Sequence, residues 1–199
     1  SEYPTIAAAL EVVRPRDTVL LAPGTYTGAG NRELVVDAPG ITVKSEEGPE
    51  LTTLDCRGLA RAFVIGGSAE SSVRIEGITL RGGRAVESNG SHGGGIRFRE
   101  GTHTLIDCRV ESCSAPAGDG GGIACFDSEV SIIRCVLVDH FVDTPGGPGS
   151  ADGGGLFARR SLVTIDSSVL AGNQSDRGSG IHVEDGALVI RDSAITGNL

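Results

Sequence analysis

The sequence predicts an all-β fold: a right-handed single-stranded parallel β-helix, a solenoid of about six coils with a short N-terminal capping helix. Three observations carry this. There are 31 Gly, no Trp, no Met and only two Tyr and five Phe; a repeat runs through the chain without internal gaps; and apolar and polar residues alternate within it with period two. An interior without large aromatics must be filled by small and β-branched aliphatic side chains, as stacked strands do. The glycines cluster rather than recur at every third position, which excludes collagen.

Four segments align: GGGIRFREGTHTLIDCRVESC, GGGIACFDSEVSIIRCVLVDH, GGGLFARRSLVTIDSSVLAGN and GSGIHVEDGALVIRDSAITGN. Their anchors are Ile96, Ile123, Leu156 and Ile181. In every unit the next apolar landmark (Leu105, Ile132, Ile165, Ile190) follows nine residues on, and the unit's end (Cys113, His140, Asn173, Asn198) seventeen on. The anchors are 27, 33 and 25 residues apart, so all insertions fall between one unit's end and the next glycine cluster. Inside the constant part the pattern alternates, as in Ile96-Arg97-Phe98-Arg99 and Ile181-His182-Val183-Glu184, which is a strand period rather than a helical one. Each unit is therefore several short strands joined by bends. Stacked in parallel at about 4.8 Å, such coils satisfy one another's backbone and bury one side-chain column per position.

The pattern extends upstream. Ile75 to Leu80 aligns with Leu105 to Val110, Phe63 to Ile65 with the glycine-led strand, and Leu34 to Val36 with Ile41 to Val43 makes an earlier coil. The first segment differs: Ile6, Ala7, Leu10 and Val13, preceded by Pro4-Thr5 and ended by Pro15, predict an amphipathic helix over 4–14 that covers the solenoid's end. The expected organisation is one domain over 1–199, with coils over 17–199.

These stretches carry a resemblance. YPTIAAALEVV, then DTVLLAPGTYTG and PGITVKS, is similar to the opening of right-handed parallel β-helix proteins of the pectate-lyase-like superfamily, and VRIEGITLRGG resembles their typical coil. The GGGI and GGGL strands, with units ending in AGN or TGN, resemble repeats of polymorphic outer-membrane proteins and related bacterial surface proteins. The resemblance covers nearly the whole chain. It implies the fold and a bacterial protein that is secreted or at the cell surface, but no single activity, because that superfamily hosts lyases, hydrolases, esterases, epimerases, adhesins and phage tailspikes. Polygalacturonase-like motifs (clustered Asp with Gly-His-Gly and Arg-Ile-Lys), the Asp-Pro-His of alginate epimerases and regular threonine arrays do not occur.

A net charge of −9 argues against nucleic acid or an anionic membrane as partner, since both demand a basic footprint. No run approaches about 18 apolar residues, and no basic segment precedes an apolar run at the start, so neither a membrane span nor a signal peptide is expected. A mature domain whose signal had been removed would look the same.

The alignment turns other residues into columns. Cys108 and Cys135 share one with Ile78, Ser168 and Ser193, and Cys125 lies with Phe98, Ala158 and Val183, so the thiols are expected to face inward as small hydrophobes. Neighbouring coils bring Cys108 and Cys135 to about disulfide range, although parallel stacking rarely gives the required dihedral. Asn173 and Asn198 predict a two-rung amide ladder, with Cys113 and His140 in the same column. His103 falls in an apolar column with Val130, Val163 and Leu188 and reads as a core histidine.

The candidate binding column lies four residues before each anchor: His92, Asp119, Asp152 and Arg177. Two carboxylates about 5 Å apart repel by about 3 kcal/mol at an effective dielectric near 20, so Asp119 and Asp152 invite a proton, a cation or a basic neighbour. They are candidates for Ca²⁺ together with turn carbonyls, or for an acid/base pair on a glycosidic substrate. The plainer reading is that Asp before Gly-Gly-Gly favours the turn and is solvated. Loops over 84–92, 114–119, 141–152 and 174–177 emerge from the same edge and carry Glu87, Asp143 and Asp176; one-sided insertions of this kind mark a binding face in repeat proteins. A second candidate surface is the outer side of the glycine-led strands, with Arg97, Arg99, Phe126, Phe157, Arg159, Arg160 and His182.

The favoured reading is a structural or binding, adhesin-like module for polysaccharide or a surface protein. The alternative is a polysaccharide-active lyase, hydrolase or epimerase using the acidic residues of the loop-bearing edge; the catalytic residues are not read from the sequence. Ile181, Val183, Leu188, Ile190 and Ile195 are expected to leave the last coil's edge uncovered, open to end-to-end self-association or to continuation in a longer parent chain.

Overall fold

A computed structural model describes residues 3–86, 91–142 and 152–199. The chain is a parallel β-solenoid of three sheets. The first sheet stacks Thr18–Leu21, Pro39–Ser45, Ser72–Glu76, Thr102–Ile106, Glu129–Ile133, Leu162–Asp166 and Ala187–Arg191 in that order. The second stacks Gly24–Tyr26, Thr52–Asp55, Thr79–Arg81, Arg109–Glu111, Val136–Val138, Val169–Ala171 and Ala194–Thr196. The third holds Leu34–Val36, Phe63–Ile65, Ile96–Arg99, Ile123–Phe126, Leu156–Arg159 and Ile181–Glu184. Every pairing is parallel between consecutive coils, and Ile96, Ile123, Leu156 and Ile181 are mutual partners. Among the described residues, no helix is long and apolar enough to cross a membrane.

The bends explain why the repeat tolerates no gaps. Gly77, Asp107, Arg134, Ser167 and Asp192 follow the first sheet, and all have positive φ; Glu100, Asp127, Arg160 and Asp185 follow the third and do the same. Each such residue reverses the strand direction within one position, so a single inserted residue would flip every later side chain to the wrong face. The glycine cluster has its own logic. Gly120 (φ 69°) makes the bend, Gly121 passes so close to the next coil that a Cβ would lie 2.6 Å from the Gly154 carbonyl, and a Cβ on Gly122 would lie 2.4 Å from the His140 ring. The third glycine thus makes room for the residue ending its own unit.

That ending column is a longer ladder than the two asparagines predict. Gly83 N–H donates to Cys113 Sγ at 3.3 Å, Cys113 N–H to His140 Nδ1 at 3.1 Å, His140 N–H to Asn173 Oδ1 at 3.1 Å and Asn173 N–H to Asn198 Oδ1 at 3.0 Å. Thiol, imidazole and amide are interchangeable here because the position asks only for an acceptor aimed at the preceding coil's amide. The Cys113 and His140 rungs belong to the same device.

The core is a single column of aliphatic side chains, with Cys56, Cys108, Cys113, Cys125 and Cys135 all buried and unbridged. His103 is buried, stacked on Phe98 at a centroid distance of 5.4 Å, and burial pushes its pKa down. A second, small apolar cluster of Ala85, Ala115 and Val142 underlies the loop-bearing edge.

The N-terminal helix spans Ile6–Leu10, shorter than the expected 4–14. Thr5 caps it by accepting the Ala8 N–H at 3.2 Å, and Ile6 N–H is taken by Asn31 Oδ1 at 2.9 Å. It stops early because the Val12 N–H bonds Ala9 in a tighter turn and Asp17 captures the Arg14 N–H at 2.8 Å. Ile6 and Ala9 still face the core as the amphipathic pattern requires. At the other end Ile190 and Ile195 are exposed, while Ile181, Val183 and Leu188 are half-buried around an open cavity of about 620 Å³.

Candidate functional site

The four residues preceding the positive-φ glycines stack one on the next, in three steps. Gly93 N–H reaches the Asp119 carbonyl at 2.9 Å, Gly120 N–H that of Asp152 at 2.9 Å and Gly153 N–H that of Arg177 at 3.0 Å. His92, Asp119, Asp152 and Arg177 therefore form one column, with the side chains interlocked along it. His92 Nδ1 lies 3.1 Å from Asp119 Oδ2 and 3.0 Å from the Asp119 amide nitrogen. Asp119 Oδ1 in turn accepts the Asp152 N–H at 3.2 Å. Both Asp152 oxygens are held by Arg177, Nε and Nη2 each at 2.7 Å. Hydrogen bonding to that carboxylate pushes Arg177 above its ordinary pKa.

This corrects one expectation. The aspartates are not a solvated turn decoration: the Asp152 side chain is 6% exposed and that of Asp119 15%. Asp152 is matched to Arg177 through both oxygens, whereas around Asp119 the contacts are backbone ones: its N–H is taken by His92 Nδ1 and its Oδ1 takes the Asp152 N–H. The Asp152 charge is answered by the guanidinium of the following coil.

The two surfaces read separately from the sequence are one. On the outer side of the third sheet, Arg97, Ala124, Phe157 and His182 form one row, and Arg99, Phe126, Arg159 and Glu184 the next. His92 stands edge-on to Phe126 at 5.2 Å and stacks toward Phe157 at 6.4 Å. His182 stacks on Phe157 from the other side at 5.8 Å, its Nδ1 3.8 Å from Asp152. The phenyl rings, though on the outer side of the sheet, are covered: Phe126 is 7% and Phe157 1% exposed, and with Ala124 they form a small external core. The Arg97 and Arg159 guanidinium groups lie 5.4 and 5.1 Å from the Phe126 centroid, a cation–π arrangement that holds both heads in place.

The result is a cleft of about 220 Å³ lined by His92, Arg97, Arg99, Glu100, Phe126, Asp127, Arg159 and Arg160. Asp127 is matched to Arg160 at 2.7 Å. Burial, and then the neighbouring charge of Arg99, push Arg97 below its ordinary pKa. Four guanidinium groups thus converge in a chain of net charge −9. Arg61, which sequence reasoning passed over, supports the column from behind: its side chain is fully buried, and it donates to the His92 carbonyl at 3.0 Å. Its signal was only that of a charged residue amid Leu59-Ala60 and Ala62-Phe63. Of the three acidic residues noted on the loops, Asp176 is exposed, while Glu87 and Asp143 lie outside the described residues.

No protein-family model matches the chain, and no curated protein does. Among solved structures, a pectin methylesterase mutant in complex with a hexasaccharide is similar at 12% identity and a TM-score of 0.44, covering 99% of this chain and 86% of that one. A second pectin methylesterase–hexasaccharide complex gives 12% and 0.40 over the same shares, and the deglycosylated pectin methylesterase of Aspergillus niger 12% and 0.33, over 98% and 83%. Likeness at this level carries no argument about activity.

Proposed function

We propose that this solenoid recognises an acidic polysaccharide along the outer face of its third sheet, outside the cell or at its surface. The observation that carries the reading is the gathering of Arg97, Arg99 and Arg159 with His92 in one cleft, beside Glu100 and the Arg160–Asp127 pair, on a strongly acidic chain. A partly desolvated guanidinium beside another one is an anion site, and the planar fork suits carboxylates. Rungs spaced by about 4.8 Å offer an extended polymer a repeating set of contacts, whereas a compact anion would engage only one. The chain as a whole carries a net charge of −9, so an acidic polymer gains nothing from its overall field and would be held by this cleft.

The test is affinity for polygalacturonate against a neutral glucan, as a function of salt. The expected result is salt-sensitive retention of the uronate polymer alone, weakened at least tenfold in the Arg97→Gln, Arg159→Gln double variant. Equal retention of the neutral glucan, or no loss in the variant, overturns the reading.

A second reading, that the same face turns the polymer over, is favoured by the buried Asp152 held between Arg177 and His182. It predicts release of reducing or unsaturated ends, abolished by Asp152→Ala or Asp119→Ala. Retention without product leaves the binding module.

A further inference from the structure

We propose that Asp152, His182 and Glu184 form a site for a divalent transition-metal ion of the zinc class, with Arg177 as the resident cation that such an ion displaces. The three side chains come from two coils. Asp152 ends the turn before the strand Leu156–Arg159, while His182 and Glu184 alternate on the outer side of the next one. His182 Nδ1 lies 3.8 Å from Asp152 Oδ1, its Nε2 lies 3.5 Å from Glu184 Oε1, and one ligand atom from each of the three falls within 4.8 Å of the others.

Ligands at about 2.0–2.2 Å from a tetrahedral zinc stand roughly 3.4 Å apart; the two carboxylates face different nitrogens of the ring, so an ion seated at Nδ1 beside Asp152 draws the Glu184 side chain across to it. Three features make this more than a group of acids. The imidazole is oriented by stacking on the buried Phe157 at an interplanar angle of 17°. The Asp152 side chain is 6% exposed, so its dehydration is already complete before any ion arrives. And Asp152 already holds a cation, the Arg177 guanidinium, whose own side chain is 55% exposed and so has solvent to move into. Exchanging that single charge for a double one balances the two carboxylates more fully.

The donor chemistry selects the ion. An imidazole with two carboxylates suits zinc, cobalt or nickel, whereas Ca²⁺ takes six or more oxygens and gains little from a nitrogen. Asp119 is not part of the set: its Oδ1 accepts the Asp152 N–H instead. The inference stands independently of the carbohydrate reading.

Calorimetric titration of the full chain with ZnCl₂, and with CaCl₂ in parallel, tests it, together with the visible absorption of the Co²⁺-loaded protein. One zinc per chain is expected, with no calcium heat, at least tenfold weaker in His182→Ala and in Glu184→Gln, and tighter in Arg177→Gln because the competing cation is gone. No zinc heat overturns the proposal. So does a zinc affinity unchanged in both His182→Ala and Glu184→Gln, or a thiolate charge-transfer band with Co²⁺, which would place the ion at the cysteines.

Discussion

His140 Nδ1 accepts the backbone N–H of Cys113 from one coil away, at 3.1 Å, and can do so only while that nitrogen carries no proton. Burial pushes the His140 pKa down to about 3, against about 6.5 for a free imidazole. The unfolded chain therefore takes up the proton first. The stability His140 contributes is complete above about pH 6.5 and is lost as the pH falls toward 3, an effect of order several kcal/mol. His103, also pushed down by burial, acts in the same direction. Urea midpoints measured from pH 7.5 to 4 should fall steeply in the parent and less steeply in His140→Asn, which supplies the acceptor found at Asn173. Parallel slopes would assign the acid sensitivity elsewhere.

Gly121 tests how tightly the coils approach. An added Cβ would meet the carbonyl oxygens of Gly154 and Phe141 at 2.6 and 2.7 Å, and both are backbone atoms that cannot rotate away. Gly121→Ala should cost at least about 1–3 kcal/mol, the usual scale of overpacking, visible by calorimetry as a Tm lower by several degrees. Ser179 holds the corresponding place in the GSG unit, and Ser179→Gly should change the Tm little. A Tm unchanged in Gly121→Ala would mean that the coils stand further apart than this.

The thiols should be silent in the native state. Burial pushes Cys56 and Cys113 up to about 12 and Cys125 further still, so these three carry almost no thiolate at pH 8; Cys135, held lower by its hydrogen bond with Cys108, is shielded instead by being buried, as Cys108 is. Iodoacetamide should leave the folded protein unmodified for hours and label five sites in urea, counted by mass spectrometry. Rapid labelling of any one in the native protein would show that its coil opens.

Much of the architecture was legible because the repeat is rigid in length where the backbone bends. The fixed spacing from Ile96 to Leu105 to Cys113, kept in all four units, is enforced by positive-φ residues such as Asp107 and Asp127, so alignment of the sequence is alignment in space. The column His92–Arg177 followed from the same registration. What the sequence hid depends on direction rather than position. Phe126 and Phe157 alternate outward as read, yet His92, Arg97, Arg159 and His182 gather over them, and period two says nothing of cover from a neighbouring coil. The Asp152–His182 approach joins a turn to a strand of the following coil, a relation no single column contains. His140 was placed in the ladder's column but not recognised as a rung, because an imidazole does not look like an amide until its Nδ1 is seen aimed at Cys113.

The ending ladder also has a direction. Every link runs from an amide of one coil to a side chain of the following coil, from Gly83 through Cys113, His140 and Asn173 to Asn198. Each turn of the tube thus seals the one before it, and peeling away the last would strip the acceptor from its predecessor while leaving its own donor side untouched. Fraying in such a stack is vectorial: it should advance from the Asn198 end like a zipper with one slider, and hydrogen exchange at the amides of Asn173, His140 and Cys113 should record its passage in that order.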